Sequence, residues 1–522
     1  MNYNKSFTKI FEKSFLSREY YPISMVFFGF ILSFFLFYFF LSNKVYLIGS
    51  DAFYYMSIAD SILKYGEMRD ITSIPSFPVK TPQNGIVFVH LILSLLGLGA
   101  KDRILSIVLI NYLLYLSGVY PLYKIARLLN NKWGFSLATL LSVYIAAWHI
   151  IRINLLAIND GIYNSLIIWL VYMIIKYVHD FDAGNLFAKK NLISMLIINF
   201  IVIVLIQFRL TASLIIASAV LSAFAIRDYK ISASFLIVCL LLIFSFLSVY
   251  LFIPVVGFNN IIEKITVFMF KSIDLYYIKF QFWKVLPGLV MGLSPLSNPI
   301  ATFMFIILPL SMIYYLFKGI KEKIFQRVFI ACICLSGLWF TYSYPGNSRD
   351  ILYTFPFVYL ILLSLKRIKY IGYIFVFIVF LQGLKLPFTG FGRGPGSKLF
   401  LHIYENEISI SDEALLISRE RRHPYFFLGT RTYLGADNWK IILEKIKAPG
   451  KFIPSLTLDL IKNNHSIFVL GNNEYIDSIF SDLNEIAVSN DFELEYNPIT
   501  PNLKEFEGWA LVELKLKKSN KN

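Results

Sequence analysis

Residues 49–66 read GSDAFYYMSIADSILKYG and follow the first long apolar run of the chain, residues 22–41. A membrane-spanning helix needs about 20 apolar residues, and this run is long enough to be one. It lacks a clear small-residue cleavage site, which predicts an uncleaved first span with a cytoplasmic N-terminus. Asp51 then lies at the start of a predicted helix beyond the span, where the helix dipole favours a negative charge. The pattern indicates a membrane protein that carries an acidic group at its outer surface.

The composition also indicates a membrane protein. The chain has 522 residues, of which 57% are hydrophobic and 16% are charged, and its mean hydropathy is +0.63. Soluble domains have about one-quarter charged residues, so an ordinary cytosolic protein is excluded. The formal net charge is +16. Basic cytoplasmic loops facing anionic lipid explain this surplus, and no nucleic-acid partner is expected.

Apolar runs predict a polytopic α-helical protein with about 11 crossings. After the first, the predicted spans are residues 104–129, 133–151, 162–178, 192–207, 210–226, 231–253, 300–317, 328–342, 351–365 and 370–386. Residues 86–98 are too short to cross and are expected to form an amphipathic helix at the interface. Every second predicted connection is rich in Lys and Arg, as the positive-inside rule requires. An odd number of crossings places the C-terminal tail outside.

The composition changes after the last predicted span. The chain is expected to contain a transmembrane domain over residues 1–386, a Gly- and Pro-rich linker over 387–400 and a small extracytoplasmic α/β domain over 401–522. In the tail, the pattern predicts strands at 466–470, 492–496 and 509–514, and a helix at 474–483.

Asp160, within Asn159-Asp160-Gly161, is expected on the same outer side as Asp51. Two carboxylates from different loops can share a divalent cation, or one can act as base while the other orients it. Capping of a helix start is the alternative role for each of them.

Three arginines, Arg152, Arg209 and Arg349, lie at predicted outward span ends, against the positive-inside trend. A guanidinium can bind a phosphate through two parallel hydrogen bonds, so these positions suggest an anionic ligand on the outer side. Arg349 could instead pair with the adjacent Asp350 or with another outward acid.

Residues 49–66 resemble the first outer loop of GT-C glycosyltransferases, polytopic enzymes that use polyprenyl-phosphate-linked sugars. Residues 81–98 resemble the Pro-containing segment and the interfacial helix that follow in many members. Asn159-Asp160-Gly161 is similar to their second acidic motif, and residues 349–356 are similar to their late Arg-containing motif. The resemblance covers residues 20–386 and depends on the order and sidedness of the motifs.

The resemblance implies inverting transfer of a hexose or pentose from a polyprenyl-phosphate-linked donor to a hydroxyl acceptor at the extracytoplasmic face of the cell membrane. Asp51 would be the base and Asp160 would assist it; if a divalent cation takes part, Mg²⁺ or Mn²⁺ would be held by these two residues. The donor phosphate would be bound by Arg349, Arg209 and Arg152. The residues expected beside the substrate are Tyr54, Tyr55 and Glu263.

Two alternatives remain open. Oligosaccharyltransferases of this superfamily carry a Trp-Trp-Asp-Tyr-Gly motif in the tail, whereas Trp439 and Trp509 are isolated here, which favours a hydroxyl acceptor. A transporter or flippase for lipid-linked sugars would place ionisable groups near the bilayer midplane and often has internal repeats. The acids gather at one predicted outer face and no repeat is visible, which disfavours transport.

Overall fold

The structure is a computed structural model that describes residues 20–47, 50–74, 77–78, 85–129, 135–181, 185–209, 211–252, 299–343, 353–365, 395–410, 415–418, 422–428, 432–434, 466–501, 506 and 508–518. These residues fall into two compact units. The helical unit lies within residues 1–46, 80–86 and 104–390, and the α/β unit lies within residues 47–79, 87–103 and 391–522.

The described helices and strands are numbered in chain order. The helices are α1 Tyr20–Ser42, α2 Ser50–Tyr65, α3 Gly85–Leu95, α4 Ala100–Ser117, α5 Val119–Leu128, α6 Phe135–Ile145, α7 Trp148–Asn154, α8 Asn159–His179, α9 Lys189–Phe208, α10 Ala212–Ala225, α11 Tyr229–Phe252, α12 Pro299–Glu322, α13 Phe325–Ser343, α14 Phe355–Ser364, α15 Pro395–Glu405, α16 Arg422–Phe427 and α17 Asn473–Ser489. The strands are β1 Arg69–Asp70, β2 Ser73–Ile74, β3 Phe77–Pro78, β4 Leu415–Ser418, β5 Thr432–Leu434, β6 Ile467–Asn472, β7 Phe492–Pro498 and β8 Trp509–Lys518.

Long apolar helices identify the chain as a membrane protein. In its described part, 5 helical stretches are long and apolar enough to cross a bilayer: Ile23–Ser42, Ala100–Leu128, Ser136–Asn154, Asn159–His179 and Lys189–Phe208. Helices also occur at the remaining predicted spans up to residue 365, which confirms the helical prediction there. The predicted span 370–386 lies outside the described residues, and the total number of crossings stays a prediction.

Small residues let helices of the helical unit approach closely, as is common in membrane proteins. A Cβ added to Gly29 of α1 would lie 3.0 Å from the Cα of Ser142 in α6. Gly118 separates α4 from α5, and a Cβ there would collide with the hydroxyl of Tyr144. That hydroxyl donates a 2.8 Å hydrogen bond to the carbonyl of Tyr115. This close contact lies inside the continuous apolar stretch Ala100–Leu128, which covers residues 104–128 of the predicted span 104–129.

The α/β unit is built on a sheet with the order β2-β5-β4-β6-β8-β7. Strands β2, β5, β4 and β6 are parallel, and β8 runs antiparallel to both β6 and β7. Successive side chains of a strand point to opposite faces. Accordingly, Ile467 and Val469 of β6 pack with α17, whereas Phe468 and Leu470 pack with α15. Helices thus cover both faces of the central strand.

Local sequence signals explain several elements of this unit. The side chain of Asn472 caps α17 by accepting a 3.1 Å hydrogen bond from the backbone N–H of Tyr475. Strands β6, β7 and β8 and helix α17 occur where the sequence predicts them, so those four predictions are confirmed. The predicted tail domain, residues 401–522, does not include β2. This strand comes from the segment after the first span and pairs with β5 through Ser73 and Thr432. That segment folds together with the tail.

Candidate functional site

The predicted base, Asp51, lies in the first turn of α2 in the α/β unit. Helix α2 begins at Ser50 and buries an apolar face that includes Phe53 and Met56, which are 0% and 1% exposed. Side chains three residues apart on a helix are neighbours. Asp51 and Tyr54 therefore occupy adjacent positions on α2, and the buried face holds both in place.

Arg422, the first residue of α16, contacts both of these side chains. Its Nη1 lies 2.7 Å from the Oδ1 of Asp51, and the two side chains are 24% and 37% exposed, respectively. The centre of the same guanidinium lies 4.5 Å from the ring centroid of Tyr54. A cation at this distance from an aromatic face is attracted to the ring. The three residues form one cluster, which we call the Asp51 cluster.

Apolar packing and a hydrogen bond to Asp60 attach α16 to α2. The rings of Phe426 and Phe53 stack with centroids 4.4 Å apart. The hydroxyl of Tyr425 donates a 3.0 Å hydrogen bond to Oδ2 of Asp60, and Nη1 of Arg103 donates a 2.8 Å bond to Oδ1. The carboxylate of Asp60 is therefore bound by one guanidinium and one hydroxyl group. These contacts hold α16 on α2 in addition to the contact of Arg422 with Asp51.

His90 lies in the same unit on α3, which has 11 residues and is too short to span a bilayer. Its ring is fully buried, and neither ring nitrogen has a hydrogen-bond partner among the described residues. Burial, followed by the positive charge of Arg103, lowers the pKa of His90 from 6.5 to about 3. The imidazole is therefore neutral near pH 7.

The second predicted acid, Asp160, lies in the first turn of α8 in the helical unit. Its side chain is fully buried. Oδ1 of Asp160 accepts a 2.8 Å hydrogen bond from Nε of Arg209 and also contacts Nη2 of the same guanidinium. Arg209 follows the last residue of α9, and its own side chain is 11% exposed. The sequence predicts both residues as site residues, and the structure joins them as a buried ion pair.

Polar groups of the helical unit surround the start of α8. The side-chain oxygen of Asn159 accepts a 3.1 Å hydrogen bond from the backbone N–H of Ile86. Asn164 donates a 2.7 Å bond to the carbonyl of Asp160, and its own oxygen accepts a 2.8 Å bond from the backbone N–H of Tyr353. The start of α8 is therefore tied to the backbone directly before α14.

The other predicted site residues have different surroundings. Tyr55 is half-buried, with its ring 5.5 Å from that of Tyr54, and packs against the cluster formed by Ile58, Ala59 and Val87. Arg152 is exposed in the last turn of α7. Glu263 and Arg349 lie outside the described residues. The predicted phosphate contacts of Arg152, Arg209 and Arg349 stay predictions.

Three residues of the α/β unit that contact the acids of α2 were not predicted as site residues: Arg103, Arg422 and Tyr425. Arg422 lies in the basic stretch 419–422 of the tail, away from any predicted span end, so the positive-inside rule does not single it out. Arginine is ordinary on the surface of a tail domain, so this signal was not distinctive there.

A divalent cation at Asp160 would compete with the guanidinium of Arg209. Among the described residues, no group of three or more His, Cys, Asp and Glu side chains is placed to hold a metal ion. The proposed sharing of Mg²⁺ or Mn²⁺ by Asp51 and Asp160 stays a prediction.

No protein-family model matches the sequence, and a comparison with curated proteins returns no match. Solved structures do match. ArnT from Cupriavidus metallidurans bound to undecaprenyl phosphate is 13% identical over 94% of this chain and 98% of its own, with a TM-score of 0.57. The apo form of the same protein gives 13% identity, 91% and 97% coverage, and a TM-score of 0.52. An oligosaccharyltransferase from Archaeoglobus fulgidus in its apo form is 11% identical over 88% of this chain and 70% of its own, with a TM-score of 0.50.

At these identities the likeness concerns the fold, which extends over nearly the whole chain in the ArnT comparisons. The motifs around Asp51 and Asp160 resemble those of the GT-C superfamily. The chain therefore shares the fold of ArnT and of the Archaeoglobus fulgidus oligosaccharyltransferase.

Proposed function

We propose that this protein is an inverting glycosyltransferase that moves a hexose or pentose from a polyprenyl-phosphate-linked donor to a hydroxyl acceptor at the extracytoplasmic membrane surface. The observation that carries the proposal is the position of Asp51. It lies in the first turn of α2, is 37% exposed and is paired with an arginine, in a chain with the GT-C fold. A partly exposed carboxylate beside a cation suits a base that must meet a substrate.

The proposed reaction requires one proton acceptor and one stabilised leaving group. The acceptor oxygen attacks the anomeric carbon, the bond from that carbon to the phosphate oxygen breaks, and the configuration inverts. The proton of the acceptor hydroxyl passes to the carboxylate of Asp51, which must lie within hydrogen-bond reach. The polyprenyl phosphate leaves with the electron pair of the broken bond, and nearby cations stabilise its developing charge.

Asp160 and the arginines are assigned supporting roles. Asp160 and Arg209 form a buried pair, which favours a role in holding the start of α8 in one geometry. Arg349 is the proposed phosphate ligand. The backbone N–H of Tyr353, four residues after Arg349, donates a hydrogen bond to the side chain of Asn164. Asn164 lies one helical turn after Asp160, so this contact supports placing the late motif beside the second acidic motif.

The donor assignment is supported by the fold and by the motifs. One structural neighbour, ArnT, was solved with undecaprenyl phosphate bound, and a lipid of this class suits an acid at a bilayer surface. The missing Trp-Trp-Asp-Tyr-Gly motif favours a hydroxyl acceptor over the asparagine acceptor of oligosaccharyltransferases. The predicted topology places the reaction outside, with a cytoplasmic N-terminus.

Purified protein in lipid nanodiscs tests the proposal. The donors are undecaprenyl phosphates that carry radiolabelled glucose, mannose or arabinose, and a lipid and glycan extract supplies hydroxyl acceptors. We expect the wild-type protein to transfer label from at least one donor, and Asp51→Asn to reduce the rate by about 100-fold or more because the base is lost. Thermal unfolding of Asp51→Asn should match that of the wild type, because an exposed ion pair contributes about 1 kcal/mol or less.

Glu67→Gln is the matched control, since Glu67 is an exposed acid of the same segment, paired with Arg69. It should keep wild-type transfer. Full activity of Asp51→Asn would remove Asp51 from the mechanism. Movement of the labelled lipid across the bilayer without sugar transfer would favour a flippase, and labelling of an asparagine-containing peptide would favour the oligosaccharyltransferase alternative.

Chelation tests the metal prediction in the same assay. The guanidinium of Arg209 occupies Oδ1 of Asp160, so we expect transfer to continue in the presence of excess EDTA. Loss of transfer that is restored by Mg²⁺ or Mn²⁺ would instead support a cation held by Asp51 and Asp160.

A further inference from the structure

The Asp51 cluster points to a role for the tail in catalysis. We infer that Arg422 is a positioning residue that orients the carboxylate of Asp51 for proton transfer. The inference rests on the proposed function of Asp51 and extends it to a residue 371 positions away in the chain. It concerns the α/β unit alone, to which Asp51, Tyr54 and Arg422 all belong.

The geometry restricts the guanidinium from two sides. Its Nη1 is 2.7 Å from Oδ1 of Asp51, and its centre lies 4.5 Å from the ring centroid of Tyr54. The aromatic face and the carboxylate are presented by one helix at positions i and i+3, so their separation is set by the backbone of α2. A planar guanidinium can stack on the ring while it donates to the carboxylate, which lysine cannot reproduce.

Stability is a poor explanation for this ion pair. Its side chains are 24% and 37% exposed, and pairs with that exposure contribute about 1 kcal/mol or less. Helix α16 is held on α2 by other contacts, namely the stacked rings of Phe426 and Phe53 and the bond from Tyr425 to Asp60. Removing the guanidinium should therefore leave the fold intact and change only the orientation of Asp51.

Orientation has a kinetic consequence. A base that is displaced by about 1 Å from the proton it must accept can lose about 100-fold in rate. The loss falls on the chemical step, because the donor binds whether or not the carboxylate is aligned. A residue that instead bound the donor phosphate would raise the KM for the donor when removed.

The test compares Arg422→Gln and Arg422→Lys with the wild-type protein in nanodiscs, using the radiolabelled undecaprenyl phosphate sugar that the wild type turns over. We expect Arg422→Gln to lower kcat by about 10- to 100-fold with an unchanged KM for the donor. Arg422→Lys restores the charge without the planar group and should give an intermediate kcat. Arg69→Gln is the matched control, because Arg69 is exposed and its only ion pair among the described residues is with Glu67. This variant should leave kcat and the KM for the donor unchanged.

Each other result overturns the inference. A wild-type kcat in Arg422→Gln shows that Arg422 does not orient Asp51, and a raised KM with a normal kcat makes Arg422 a donor ligand. A large fall in the melting temperature of Arg422→Gln makes it a structural residue. Asp51→Asn in the same series separates the two proposals: if Asp51→Asn is inactive while Arg422→Gln is normal, only the role of Arg422 fails. If the wild type transfers none of the donors, the proposed function and this inference fail together.

Discussion

The buried pair of Asp160 and Arg209 illustrates how one contact can hold two predicted site residues. Asp160 is fully buried, and the side chain of Arg209 is 11% exposed. Taking two charges out of water is costly, and such a pair is stable only while both partners are present. We expect Arg209→Met to destabilise the protein by about 3 kcal/mol or more, because it leaves an uncompensated buried carboxylate. Thermal unfolding in detergent measures the loss.

A double variant provides the control for that prediction. Asp160→Asn combined with Arg209→Met removes both charges, so it should be more stable than Arg209→Met alone. If the two proteins melt at the same temperature, the buried charge is not the cause of the loss.

His90 makes stability depend on pH. Its pKa is lowered to about 3 in the folded protein from 6.5, mainly by burial. Between these two values the unfolded chain binds a proton that the folded chain does not, so stability is complete above about pH 6.5 and falls as the pH decreases toward about 3. Relative to His90→Leu, the wild type should lose about 2 kcal/mol between pH 7 and pH 5.

Chemical denaturation of both proteins at the two pH values measures this difference, and the other titrating groups cancel in the comparison. Parallel pH dependence of wild type and His90→Leu would show that folding does not lower the pKa of His90.

At the level of elements, Gly161 explains why the second acidic motif ends in glycine. A Cβ at this position would lie 2.5 Å from Nδ2 of Asn111 on α4. Asn111 is buried and donates a 3.0 Å hydrogen bond to the carbonyl of Asn154, so it cannot easily move away. We expect Gly161→Ala to cost about 1–3 kcal/mol through overpacking where α4 meets α8. Its melting temperature should fall below that of the wild type.

Gly99→Ala is the control for this substitution, because the nearest atom to its added Cβ is Oδ2 of Asp102 at 3.7 Å, an ordinary contact. Equal melting temperatures for Gly161→Ala and the wild type would contradict the close approach of α4 and α8.

The elements also show what hydropathy can and cannot predict. Apolar runs predict the positions of the helices because burial in lipid requires long apolar segments, whatever their neighbours are. The close contact at Gly118 depends on the hydroxyl of Tyr144, which comes from another helix, so the uniform run 104–129 gives no sign of it. Strand β6 was predictable because both its faces are apolar, whereas β2 has 2 residues and no periodicity.

At the scale of the whole molecule, the sequence predicts only the part of the candidate site that local motifs encode. Asp51 and Asp160 each lie within a short motif that can be recognised in a single stretch of sequence. Arg422 is 371 residues from Asp51, and the two meet only because the segment after the first span folds with the tail. Contacts over such separations depend on tertiary packing, which periodicity and composition do not report.

The same folding arrangement makes the sidedness of the tail testable. The segment that carries Asp51 and the tail belong to one unit, so both should be on the extracytoplasmic side if the basic loops are cytoplasmic. After Cys239, Cys332 and Cys334 are replaced by serine, a single cysteine is introduced either at the exposed Ser489 of α17 or at the exposed Lys190 of α9. In intact cells, a membrane-impermeant maleimide should label Ser489→Cys and should label Lys190→Cys only after permeabilisation. The reverse pattern would place the tail in the cytoplasm and would remove Asp51 from the outer surface.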